Sequence, residues 1–464
     1  MAKILLVSCN MATSPYPVFP LGMACIASAL KAEGHVIRQV DIQASGVSPA
    51  DALMAHRDFM PDLVGLSIRN IDSTDSHQGM SQWYLDKAKS IAQTVRAQYS
   101  APIVIGGAGV ALMPEQIKEH TGADFAIVGE GERAMVQLVS ALDRNNWQTA
   151  GLNVLWQAAP LAGSEIKCPI VDTDIAKFYL GKSGIMGIQS KRGCPYKCAY
   201  CSYPTIEGRT LRYVNPEAVA GHMEKMYTDH QVTEFVFCDS VFNDSCGHFL
   251  DVAKAIKKCD IPVRWSGYFR PSTTTLEELS FLQSAGLYAL EIGTDSASDT
   301  TLAAMKKPFT FNEVQQFSAS CASLDLAQAH FIIMGGPKEN VQTAQEGLRN
   351  IRTLEKSVVF VYQGVRILPH THIEQVALNE GVITRETSLL RPVYYHSADI
   401  TFDALQKMIE DDFAGDMTRI FPPAKGSQME TALRTLGHKG LLWDKLLISR
   451  RKNRTRNRTT NNNA

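Results

Sequence analysis

The sequence has no apolar run near the roughly 18 residues that a membrane-spanning helix needs. It has almost no net charge, with 46 Lys and Arg against 47 Asp and Glu. That balance argues against nucleic acid as an obligate partner. It also lacks the features of a secretion signal: Met1 to Val7 is apolar, but Ser8 and Asn10 follow at once. The segment is better suited to a first strand, and the expected location is cytoplasmic. Disorder over most of the chain is excluded, because 45% of the residues are hydrophobic. Ten cysteines are present. Without a secretion signal they are expected to be thiols, metal ligands or catalytic groups rather than a disulfide framework.

At very roughly 150 residues per domain, 464 residues suggest about three domains. Residues 1–150 alternate short β-branched runs with helical stretches. Strands are expected at 3–9, 36–41, 63–68, 102–105 and 124–128, and helices at 21–33, 81–99 and, after Gly129-Glu130-Gly131-Glu132, to about 142. Continuous apolar strands separated by helices imply a parallel sheet covered on both faces. The expectation is α/β, a flavodoxin-like doubly wound domain that binds ligands beyond the carboxyl ends of its strands. Residues 151–182 show no sustained period and are expected to be a connector. The alternation resumes over 183–368, with strands expected at 185–189, 234–238, 262–266, 288–293, 330–334 and 358–363. Six βα repeats point to a partial (β/α)6 TIM-like barrel, with a second doubly wound sheet as the alternative. Residues 369–448 are mostly helical in pattern. Residues 449–464, where Arg450, Arg451, Lys452, Arg454, Arg456 and Arg458 cluster, are expected to be a disordered basic tail.

The sharpest feature is Lys191-Arg192-Gly193-Cys194-Pro195-Tyr196-Lys197-Cys198-Ala199-Tyr200-Cys201. It follows directly on the first strand of the second array. Three thiols spaced C-x3-C-x2-C suit an iron–sulfur cluster, whose ligands are thiolates. On one short loop they can wrap three corners of a [4Fe–4S] cube and leave the fourth iron open. A structural zinc loop would usually use four protein ligands in pairs. Three buried core cysteines would not be interleaved with Pro, Lys and two Tyr.

Spacing and position together resemble the radical S-adenosylmethionine (SAM) superfamily. Tyr200 stands before the last cysteine, where that family often has an aromatic. Glu291-Ile292-Gly293-Thr294-Asp295, Met334-Gly335-Gly336-Pro337 and Gly364-Val365-Arg366-Ile367-Leu368-Pro369 end the fourth, fifth and sixth strands. The resemblance implies that Cys194, Cys198 and Cys201 hold the cluster and that its open iron binds the amino and carboxylate groups of SAM. It implies that Glu291 reaches the methionine or ribose end of SAM. Gly335 and Gly336 would let backbone approach it, and Arg366, like Arg270, is a candidate carboxylate or substrate contact.

Upstream, Pro61-Asp62-Leu63-Val64-Gly65-Leu66-Ser67, Ile105-Gly106-Gly107-Ala108-Gly109 and the run Asp124 to Glu132 resemble the cobalamin-binding domain fused ahead of many radical SAM enzymes. The resemblance implies that Ser67, Gly106, Gly107 and Gly109 face the nucleotide tail of cobalamin, and it makes Gly129 and Glu130 cofactor contacts. One departure matters. The loop from Cys9 to Pro17 contains no histidine, so no Asp-x-His motif supplies an axial ligand to cobalt. Arg69 is the candidate for the lower face, and as a cation it leaves that face without a protein ligand. This is similar to the arrangement in the tryptophan 2-C-methyltransferase branch of the family.

The resemblance therefore implies a cobalamin-dependent radical SAM C-methyltransferase, with Arg69 and Glu291 in the catalytic machinery. A methyl group would move from SAM, via methylcobalamin, to a carbon of a small-molecule or natural-product substrate. A flavodoxin- or ferredoxin-type protein would donate electrons. The alternatives are a non-methylating rearrangement or cyclisation, and non-radical methyl transfer through cobalt. A cobalamin- or redox-sensing binding protein would leave the Glu291 and Gly335-Gly336 motifs unexplained.

Overall fold

The computed structural model describes residues 1–142, 155–271 and 274–447. The first layer is a parallel sheet of β1 (Lys3–Ser8), β2 (Val36–Asp41), β3 (Leu63–Ser67), β4 (Ile103–Gly106), β5 (Phe125–Val128) and β6 (Leu155–Gln157). Its order is β2-β1-β3-β4-β5-β6. The direction of winding changes between β1 and β3, and that is where a doubly wound sheet opens its ligand crevice. Ser8 is level with Ser67, and Ser67 with Gly106, so three strands end on one line. The apolar strands are buried because helices cover both faces. Expected and observed bounds agree to within a residue or two for all five strands foreseen.

The stretch expected to be a connector is more ordered than its sequence suggests. β6 extends the first sheet beside β5. The helix Thr173–Lys182 follows, capped by the Asp172 carboxylate, which accepts from the amides of Asp174 and Ile175. A three-residue strand is too short to show a period, so its pairing partner decides it.

The second sheet contains β7 (Met186–Ile188), β8 (Glu234–Phe237), β9 (Arg264–Phe269), β10 (Leu287–Asp295), β11 (Ala327–Met334), β12 (Ser357–Gln363) and β13 (Arg419–Ile420). All neighbours are parallel, in the unbroken order β7 to β13. A doubly wound sheet would reverse its order, so the partial barrel is the observed architecture. The seventh strand comes from the C-terminal region, whose described helices are His372–Asn379, Phe402–Phe413 and Pro423–Thr435. Phe237, Phe242 and Trp265 pack between the sheet and its covering helices, with Trp265 5.3 Å and 4.9 Å from the two phenylalanine rings. The expected basic tail, 449–464, lies outside the described residues. Among the described residues, no helix is long and apolar enough to cross a membrane.

Candidate functional site

The carboxyl ends of the two sheets face each other across a cavity of about 1010 Å³. The loops after β1 and β3 form one wall. The cysteine loop, the ends of β8 to β12 and the helix Pro423–Thr435 form the others.

The cysteine loop is anchored from below. Lys191 is fully buried, and its ammonium donates to the Phe242 carbonyl and the Asp244 carboxylate, both at 2.6 Å. Asp239 accepts from the amides of Ser190 and Lys191. Gly193 then turns at φ 91, where a side chain would meet the Thr210 carbonyl at 2.1 Å, so only glycine fits. Its amide donates to Glu207 and its carbonyl accepts from Ser240.

Cys194, Cys198 and Cys201 all line the cavity. Among the described residues, no three Cys, His, Asp or Glu side chains converge closely enough to hold a single metal ion. Three thiols spread around one opening fit a cube, whose corner irons are separate, better than one zinc ion. Lys307 adds a cation here: its Nζ lies 3.4 Å from Cys198 Sγ and pairs with Asp295. Asp295 also accepts from the Tyr200 hydroxyl at 2.7 Å, so the expected aromatic Tyr200 is tied into the same set. A register shift in β10 between Gly293 and Asp295 accompanies this position.

Glu291 lies across the cavity, from the middle of β10. It is 7% exposed, and its Oε1 receives the Trp443 indole N–H at 3.4 Å. Burial pushes its carboxyl up to about 7, against hydrogen bonds from Trp443 and Tyr268 that pull it down. Arg270 also lines the cavity, where it donates to the Tyr196 hydroxyl at 2.5 Å and stacks over that ring.

On the first-sheet side, Met11 to Tyr16, Ala108, Gly109 and Leu112 present a mainly apolar and small-residue surface, and Arg69 to Asp75, Gln78, Gln82, Tyr84 and Lys87 a mostly polar one beside it. The loop's one thiol, Cys9, is pushed up to about 12 by burial and by Asp41, so it stays a neutral thiol and a poor cobalt ligand. Arg69 is exposed to the cavity and makes no hydrogen bond or ion pair among the described residues. Gly109 lines the cavity, whereas Gly106, Gly107 and Ser67 do not. Gly107 instead lets the chain pass the Ile68 carbonyl, which an added Cβ would approach to 2.6 Å. This surface fits a corrin, and the residues facing it would be Arg69, Gly109 and the loop after β1.

Five expected contacts lie elsewhere. Glu130 is an ion-pair partner of Arg192 and Arg212 and accepts from the Leu161 amide. Gly129 turns beside Ala158, away from the cavity. Arg366 is buried against Asp72 at 2.8 Å and donates to the Ile367 and Leu389 carbonyls, so its donors are spent on joining the domains. Gly335 and Gly336 donate their amides to Glu339 rather than facing the cavity, and an added Cβ on Gly335 would strike His396 at 2.7 Å. Sequence reasoning missed Lys307, Glu430 and Trp443. Lys307 had a weak signal, the Lys306-Lys307-Pro308 run; the other two had none.

Two family descriptions match the chain: "B12 binding domain" over residues 7–139 and "Radical SAM superfamily" over 188–350. An uncharacterized methyltransferase of Pyrococcus horikoshii is 23% identical, covering 72% of this chain and 73% of its own. The tryptophan 2-C-methyltransferase of Streptomyces laurentii is also 23% identical, covering 76% and 71%. The structure of TsrM from Kitasatospora setae, bound to tryptophan and a SAM analog, shares this fold with a TM-score of 0.83 at 20% identity, covering 98% of this chain and 99% of its own. With a B12-binding domain ahead of a barrel that carries three thiols on its first loop, the chain belongs to the cobalamin-dependent enzymes of the radical SAM superfamily.

Proposed function

We propose that the chain moves a methyl group from SAM to a carbon of a small-molecule substrate. The observation that carries this reading is one cavity walled both by the Cys194, Cys198 and Cys201 loop and by the histidine-free surface around Arg69. When bound, the cluster supplies one-electron reduction of SAM and the cobalamin carries the methyl group; the protein supplies placement and exclusion of water. Cys194, Cys198 and Cys201 hold the cluster. Lys307 stabilises negative charge at Cys198 and is itself fixed by Asp295. Glu291 accepts hydrogen bonds from SAM. Arg69 covers the lower corrin face without donating a lone pair, because a guanidinium stays protonated. Ser67, Gly106 and Gly107 lie beneath the slot for the nucleotide tail. A flavodoxin- or ferredoxin-type protein delivers electrons, and the reducing cytoplasm suits the oxygen-sensitive thiolates. Residues 1–150, 183–368 and 369–448 act as cofactor module, barrel and closing segment.

Anaerobic reconstitution should give about four irons and about one cobalt per chain, and Cys201→Ala should lose most of the iron. Labelled SAM with reductant and substrate should give a methylated product. 5′-Deoxyadenosine without methylated product, across a broad substrate panel, would overturn the reading. The ratio of 5′-deoxyadenosine to product separates radical from non-radical transfer. Paramagnetic resonance of Co(II) should show no splitting from an axial nitrogen.

A further inference from the structure

Glu430, on the helix Pro423–Thr435, is 4% exposed and lines the cavity. Its Oε2 has no hydrogen-bond partner. No ion pair to it forms among the described residues. The nearest cation, Arg434, donates instead to the carbonyls of Lys182 and Pro15 and lies 5.9 Å from the Tyr16 ring centroid. Glu430 and Glu291 act on each other electrostatically, and both are pushed up, to about 8 and about 7. Glu291 has only neutral donors, Trp443 and Tyr268. Two buried carboxyls that raise each other resist ionising together without a compensating cation.

The walls around the pair are aromatic. Tyr16, Tyr268, Tyr362 and Trp443 line the same cavity, with Phe331 stacked on Phe360 at 5.2 Å and 9°. Ring faces attract cations, and their flat surfaces suit an apolar body attached to one. A pocket with two carboxyls and aromatic walls, in which none of the lining cations Arg69, Lys87, Arg270 and Lys307 makes an ion pair with either glutamate among the described residues, has the chemistry of an ammonium or amidinium receptor.

We propose that Glu430, with Glu291 adding negative charge nearby while it serves SAM, binds a positively charged nitrogen of the methyl-accepting substrate. The inference rests on the methyltransfer reading above and names its substrate class: amines or amidines on an apolar or aromatic skeleton. SAM has its own ammonium, which the superfamily resemblance assigns to the open iron, so a second cation is the natural occupant here.

The test is calorimetric titration of the anaerobically reconstituted full chain with phenethylamine, phenylacetate, N-acetylphenethylamine and, separately, SAM. Phenethylamine should bind at least about tenfold tighter than the acid or the amide, as expected for a buried charge-assisted contact. Glu430→Gln should weaken the amine about tenfold or more and change SAM affinity by less than about twofold. Amine and acid binding alike, or no amine binding, would overturn the proposal. So would a Glu430→Gln chain that loses SAM affinity and keeps the amine, because the pocket would then belong to SAM. Should that variant fail to fold, the wild-type preference for amine over acid still decides. A chain that prefers the amine but never methylates defeats only the methyltransfer reading; one that methylates without the preference defeats only this inference.

Discussion

Two sets of carboxylates are buried in this protein, and they differ in what faces them. Glu130 and Glu132 meet Arg192 and Arg212 where the first domain touches the barrel. Glu291 and Glu430 share a cavity with aromatic rings, and Glu291 raises Glu430 electrostatically. Burial is similar, at 9% exposure for Glu130 against 7% and 4% for the other two. Burial alone would raise Glu130, but Arg212 and Arg192 hold it below the usual carboxylate range, whereas Glu291 and Glu430 stay high. The first set is complete and joins two domains. The second set lacks its counter-charge, and its place in the cavity makes a ligand the missing member.

The contrast breaks most visibly at Arg192. Arg192→Met leaves Glu130 and Glu132 buried with one cation fewer, and stability should fall by about 3–5 kcal/mol, read by denaturant unfolding of the apo chain. A loss below about 1 kcal/mol would mean that the pair breaks even against a hydrophobic residue.

The second set should respond in the opposite sense. Glu430 has a folded pKa of about 8 against an ordinary 4.5. Between those values the folded chain binds more protons than the unfolded one, so stability falls as pH rises through the window. Glu291 from β10 reinforces the effect, Arg434 on the same helix opposes it, and Tyr16 and Tyr362 complete the wall with neutral hydroxyls. Glu430→Gln should therefore be more stable than wild type at pH 8, by on the order of 2 kcal/mol, and level with it near pH 4. Thermal unfolding across pH measures this, and a variant less stable at pH 8 would contradict it. The smallest effect belongs to Glu132, whose side chain is 16% exposed. Glu132→Gln should cost about 1 kcal/mol or less, which sharpens the contrast by showing that Glu130 is the buried anchor.

The same contrast explains what was legible in the sequence. The strands, the cysteine loop and the histidine-free loop are local patterns, and they appear where the sequence places them. Glu130 and Arg366 looked like cofactor contacts because a charge at a strand end reads alike whether it is free or paired. Their partners lie 62 residues away for Glu130 and 294 for Arg366, and no local pattern carries that distance. Glu430 was invisible for the converse reason. Within an ordinary helix, a glutamate facing a cavity and one facing water have the same spacing. β6 and β13 are too short to display a period, and only their neighbours make them strands.

The Trp443 indole donates to Glu291, although Trp443 follows every other cavity-lining residue in the chain. During synthesis domains emerge and fold from the N-terminal end, so the first sheet and the barrel strands β7 to β12 are made well before this wall, which follows close behind β13. The cavity stays open on that side until Trp443 has been translated. The bulky cofactors thus have a natural loading window before the last helix docks, and the order of the sequence becomes an assembly schedule.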